Sequence, residues 1–179
     1  MSKLTPGKEY ERKFLVLERR FASARGEALR QDIRQGYLAI APAQVRVRET
    51  DGRYVLEIKG ENDTELDPKP LTRAEGEMLL RDYAPRVASL VTKTRFDVKA
   101  GFDGLTWEVD VFKGDNAPLI VAEIEMPSKG YPLEAHDWPK WIGPEVTADP
   151  RFKNKNLALV PFKKWPKSEQ KKTLKRMGL

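Results

Sequence analysis

The sequence contains no cysteine and a single histidine, His136. Without thiols, disulfide staples, zinc–thiolate sites and cysteine nucleophiles are excluded. One imidazole excludes a histidine-cluster metal site and leaves little room for serine–histidine chemistry. A metal held by this chain therefore rests mainly on carboxylate oxygens, which selects a hard divalent ion such as Mg²⁺ or Mn²⁺. No stretch approaches the ~18 apolar residues of a membrane-spanning helix, and the opening MSKLTPGKEYERK lacks the apolar core of a leader peptide. The expectation is a cytoplasmic protein with no membrane partner.

Charge, by contrast, is abundant. Of 179 residues, 34% are charged, and 33 lysines and arginines against 27 acids leave a net +6. That excess favours an anionic partner, but no motif that reads nucleic acid accompanies it. The length fits one domain, taken as residues 1–160, with a basic extension at 161–179 read as a helix of low amphipathicity.

Short strand-like runs separated by turn residues recur along the chain, at about 9–17, 33–40, 44–50, 53–60, 71–77, 88–99, 105–113 and 118–126. Asp51-Gly52 and Gly101-Phe-Asp-Gly104 read as hairpin turns, so neighbouring strands pair antiparallel. MLLRDYAP (78–85) reads as a short helix, and 127–150, rich in proline and tryptophan, as an irregular wrap. Within that wrap His136 is read as structural, and Trp138 and Trp141 as cover for an apolar surface.

Alternation along the strands places the charges together. Glu9, Glu11 and Lys13 share a face, as do Arg46 with Arg48, Glu57 with Lys59, and Arg73 with Glu75 and Glu77. Lys93, Arg95 and Asp97 share another, as do Glu108 with Asp110 and Glu123 with Glu125. The opposite faces carry valine, isoleucine, leucine and aromatics. Either the charges face water around an ordinary core, or the strands close into a barrel with charges inside and apolar faces covered from outside; periodicity alone leaves both open. In a lumen, Glu9 and Glu11, about 7 Å apart along their strand, could reach one ion. The bases would then suit a polyanionic phosphate chain.

Glu9-Tyr-Glu11-Arg-Lys13 is an ExExK pattern. It is followed in order by RQGYL (34–38), VRVR (45–48), LEIKGE (56–61), TRAEGE (72–77), TKTRF (92–96), WEVDVF (107–112), AEIEM (122–126) and RFKNKNLAL (151–159). Over residues 9 to about 160 the chain resembles the CYTH superfamily, the triphosphate tunnel metalloenzymes, and within it the small bacterial inorganic triphosphatases. The resemblance implies a mainly β fold, an eight-stranded antiparallel closed barrel with a charged lumen and helices outside. It implies that Glu9 and Glu11 hold Mg²⁺ or Mn²⁺ together with Glu125, Glu123 and Asp110. Lys13 and Lys93 fall at the catalytic step, with Lys13 orienting or activating water. Arg46, Arg48, Lys59, Lys93 and Arg95 grip the triphosphate, with Arg73 on a supporting lumen strand and Lys155 reaching from a closing helix.

The implied activity is metal-dependent hydrolysis of a triphosphate, foremost inorganic tripolyphosphate, by water attack on a terminal phosphorus. Alternatives are a class IV adenylate cyclase, a thiamine or nucleoside triphosphatase, and a binder of polyphosphate or nucleotide without turnover. The expected partner is a small-molecule triphosphate, and the expected state a monomer or homodimer.

Overall fold

The computed structural model describes residues 4–5, 10–60, 65–133 and 138–179. The chain runs through β1 (Leu4–Thr5), β2 (Tyr10–Val16), α1 (Glu18–Ala24), β3 (Leu29–Ala39), β4 (Gln44–Thr50), β5 (Arg53–Lys59), β6 (Glu65–Leu66) and β7 (Lys69–Leu71). It continues through α2 (Arg73–Met78), β8 (Val91–Lys99), β9 (Thr106–Phe112), β10 (Ile120–Met126), β11 (Ile142–Glu145), α3 (Asn154–Leu159) and α4 (Lys167–Arg176). All strands join one antiparallel sheet in the order β1-β6-β5-β4-β3-β8-β9-β10-β2-β11, with β7 paired to β5 off this path.

Turn chemistry sets the register. Asp51 (φ 48°) and Gly52 (φ 82°) both take the left-handed conformation of a two-residue hairpin turn. Thr50 therefore pairs with Arg53, and Arg46 with Glu57. Seven of the eight expected strands occur. The eighth does not: residues 73–78 form a helix, because the Thr72 hydroxyl accepts from the Glu75 amide while the Glu75 carboxylate accepts from Thr72 N–H at 2.7 Å. This reciprocal cap outweighs the alternation of Arg73, Glu75 and Glu77. The helix continues through a π-helical segment, Leu79–Tyr83, and a 3₁₀ turn, Ala84–Arg86. Gly76 is required there, since a Cβ would lie 2.2 Å from the Tyr54 ring.

The closed eight-stranded barrel is also corrected. Among the described residues the sheet has eleven strands and stays open, its path starting at β1 and ending at β11. Short strands at both margins extend the long ones without joining. The sheet is nevertheless curved, because side chains of β2, β4, β5, β8, β9 and β10 line one cavity, which a flat sheet cannot arrange.

The apolar strand faces turn outward. Phe14, Trp107, Val109 and Ile124 are fully buried beneath the segment carrying Trp138 and Trp141. Phe21 of α1 meets Trp141 edge-on at 5.2 Å and Phe96 at 5.7 Å, while Trp138 lies 4.8 Å from Phe14. Phe162, Trp165 and Met177 belong to the same buried cluster, so α4 is laid onto the core. Arg151 stacks 4.7 Å over Trp165 and bonds Glu169 at 3.1 Å, fastening that helix. His136 lies outside the described residues. No helix among the described residues is long and apolar enough to cross a membrane.

Candidate active site

The charged faces of the strands enclose a cavity of about 720 Å³. Lys13 and Glu11 of β2 lie beside Glu123 and Glu125 of β10, since the antiparallel register pairs Glu123 with Lys13 and Glu125 with Glu11. Arg46 and Arg48 of β4, Lys59 of β5 and Arg95 of β8 contribute the bases, and Lys155 reaches in from α3. Glu11, Glu123 and Glu125 thus share the β2–β10 wall with Lys13, while the bases of β4, β5 and β8 lie among Glu57, Glu65 and Glu108.

Most of these bases are held by acids. Lys13 Nζ lies 2.6 Å from Glu123 and 3.0 Å from Glu11. Arg46 makes a two-pronged bond to Glu57 at 2.8 and 3.1 Å, Arg48 lies 3.5 Å from Glu57, and Lys59 is 3.1 Å from Glu65. Arg95 binds Asp110 through two bonds of 2.8 Å and also pairs with Glu108. Burial works against the Lys13 charge, but Glu123 and Glu11 outweigh it and hold the ammonium above its ordinary pKa. Arg48 shows the opposite balance: burial, then neighbouring Arg46, push it down. Burial likewise raises Glu108, with Arg95 opposing and Asp110 and Glu123 adding to the rise.

Asp110, Lys93 and Arg73 depart from their expected places. Asp110 is fully buried, does not line the cavity, and has one oxygen on Arg95 and the other shared by Arg95 and Lys93. Burial opposes its ionisation, yet Lys93 and Arg95 keep it far below the usual carboxylate range. Both of its oxygens are thus engaged by cations. Lys93 is also fully buried behind the wall, 5.7 Å from the Phe112 ring, and burial lowers its pKa to about 8 despite the attraction of Asp110. It supports the site from below. Arg73 is exposed on α2 and absent from the cavity wall.

Other lining residues escaped the sequence reading. Glu65, Lys153 and Asn154 form part of the wall. Lys153 and Asn154 precede and begin a helix too short to show a face by periodicity. A smaller space of about 310 Å³ adjoins the main one through Glu11, Lys13, Lys59 and Lys153.

The donor chemistry suits a hard cation. Glu11 and Glu125 are direct cross-strand partners, an arrangement that repels unless positive charge intervenes. Among the described residues Glu125 makes no ion pair, and no three acids or histidines already converge as a ready-made metal cage. Glu9, expected beside Glu11, lies outside the described residues.

No family model matches this chain. An inorganic triphosphatase of Acetivibrio thermocellus is 35% identical over 161 residues, which cover 88% of this chain and 97% of that protein. An inorganic triphosphatase of Nitrosomonas europaea is 35% identical over 155 residues, 84% of this chain and 97% of its own length. A crystal structure of an inorganic triphosphatase aligns at a TM-score of 0.63 and 34% identity, covering 86% of this chain and 96% of that one.

Proposed function

Because this chain belongs to the inorganic triphosphatases of the CYTH, or triphosphate tunnel, superfamily, we propose that it hydrolyses inorganic tripolyphosphate inside the cavity with the help of Mg²⁺ or Mn²⁺. The observation that carries this reading is one cavity lined both by Glu11, Glu123 and Glu125 of adjacent strands and by Arg46, Arg48, Lys59 and Arg95. A polyphosphate chain can lie along the bases with its terminal phosphorus toward the acids.

Glu11 and Glu125, cross-strand partners, would hold the divalent ion, with Glu123 beside them. When bound, the ion supplies charge neutralisation and Lewis acidity at phosphoryl oxygens. Substrate phosphates compete with Glu57 and Glu65 for Arg46, Arg48 and Lys59, exchanging carboxylate partners for more highly charged ones. Water adds its oxygen to the terminal phosphorus, the adjoining bridging P–O bond breaks, and orthophosphate and pyrophosphate are the products. Lys13 stays protonated between Glu11 and Glu123, so its role is to orient and neutralise, not to accept the water's proton.

Phosphate release from tripolyphosphate and from ATP, measured side by side with Mg²⁺, Mn²⁺ or EDTA, tests the reading. Metal-dependent release from tripolyphosphate, abolished in Glu11→Ala, is the expected result. Cyclic AMP and pyrophosphate from ATP would replace it with a cyclase, and silence on both substrates would remove hydrolysis of either.

A further inference from the structure

We propose that Asn154 is a catalytic residue that donates hydrogen bonds to a phosphoryl oxygen of the substrate, and that the buried Lys93 is the positioning residue that aims it. The inference rests on the tripolyphosphatase reading above. Asn154 opens α3 and lines the main cavity, whereas Lys93 does not touch that space. Lys93 Nζ contacts Asn154 Oδ1 at 3.3 Å.

The chemistry of the pair fixes the amide. An ammonium is a donor only, so the Asn154 atom that faces it must be the oxygen. The two N–H donors of Nδ2 are then turned away from Lys93, and they bond no other described residue. The space left to them is the cavity. Lys93 is itself held: its ammonium pairs with Asp110, which Arg95 grips from the cavity side, and both Lys93 and Asp110 are fully buried behind the wall. A side chain locked this way can fix the rotamer of its neighbour without being displaced by substrate.

The result is a neutral, pre-aimed pair of donors between Lys153 and Lys155, both of which also line the cavity. The flanking lysines attract the chain as point charges. The amide adds direction, matching an oxygen on which charge grows as the P–O bond breaks.

Four variants and one control test this, with kinetics on tripolyphosphate, thermal unfolding, and tripolyphosphate affinity by calorimetry. Asn154→Ala should lower kcat/KM by about 10- to 100-fold, mostly in kcat. Asn154→Asp keeps an oxygen for Lys93 and removes the N–H donors. It should lose at least as much activity with its unfolding temperature unchanged. Because the new carboxylate also repels a polyanion, a role confined to holding α3 is distinguished by Asn154→Ala, which would then lose activity only in step with its unfolding temperature. Lys93→Met should lower kcat, and adding Asn154→Ala to it should cost little more, since the amide is already misaimed. Asn156→Ala, whose amide bonds the Pro150 carbonyl at 2.7 Å outside the cavity wall, should stay within about twofold of wild type. An active wild type with Asn154→Ala and Asn154→Asp within twofold of it overturns the inference and leaves the functional reading standing. A wild type that releases no phosphate from tripolyphosphate overturns both.

Discussion

Glu11 and Glu125 stand directly opposite one another across β2 and β10, two carboxylates in one cross-strand position on the cavity wall. Like charges so placed cost a few tenths of a kcal/mol to about 1 kcal/mol. Lys13, 3.0 Å from Glu11, offsets part of that cost, and a bound cation between the two carboxylates would offset more.

This arrangement makes Glu125 a reporter of metal. Without divalent ions, Glu125→Gln should unfold at the same temperature as wild type or slightly above it, because the repulsion is gone. With Mg²⁺ or Mn²⁺, wild type should gain thermal stability by binding linkage, and the variant should not. Thermal scans with metal and with EDTA give the answer. An unchanged metal-induced shift in Glu125→Gln would remove this residue from the site.

Lys13 should leave no mark on the pH–rate profile near neutrality. Its folded-state pKa is raised above 10.5, so the ammonium persists through pH 10. The stability it contributes is fully present below 10.5 and lost as pH rises through the folded value. Lys13→Met should lower kcat by about 10²-fold or more without altering the shape of the profile. Disappearance of a limb between pH 6 and 9 in the variant would instead make Lys13 a base.

The Asp110 anion should govern acid stability. Its folded pKa is depressed relative to the ordinary 3.8, chiefly by Lys93 and Arg95 working against burial. The stability it provides is complete above that ordinary value and declines as pH falls below it. Asp110→Asn leaves the buried Lys93 without its carboxylate, while Arg95 keeps Glu108, and should cost about 3–5 kcal/mol at neutral pH. Urea unfolding at pH 7 and pH 2 measures both effects. The variant should show a flatter pH dependence than wild type.

Gly76→Ala reverses a familiar rule. Alanine inside a helix is ordinarily worth about 1 kcal/mol more than glycine. Here the added methyl falls 2.2 Å from the Tyr54 ring, whose hydroxyl is tied to Glu77 at 2.5 Å. The ring must move or α2 must lift, and the net effect should be destabilisation of about 1–3 kcal/mol. A variant as stable as wild type in chemical denaturation would show that α2 shifts freely.

Much of this molecule was legible before its structure. Strand alternation sorted Arg46, Arg48, Lys59, Arg95, Glu11, Glu123 and Glu125 onto common faces, and all seven line the cavity. Hairpin turns such as Asp51-Gly52 fixed which strands are neighbours. Alternation misled at Arg73, Glu75 and Glu77, where period-two charges lie on a helix whose cap is a local hydrogen-bond exchange at Thr72. It also treated Asp110 as equivalent to Glu123, although one is sealed behind the wall and the other lines the cavity.

Sequence alone determined the chemistry available: carboxylates without thiols, bases in strand doublets, and a run of antiparallel strands. Those follow from side-chain type and a two-residue period, both local properties. Tertiary structure decided which face became the inside, how deep each charge lies and which acid holds which base. Sheet curvature and the packing of Phe21, Trp138 and Trp141 against the outer face set those outcomes. The buried contact from Lys93 to Asn154 spans 61 residues of sequence, a distance that no local period encodes.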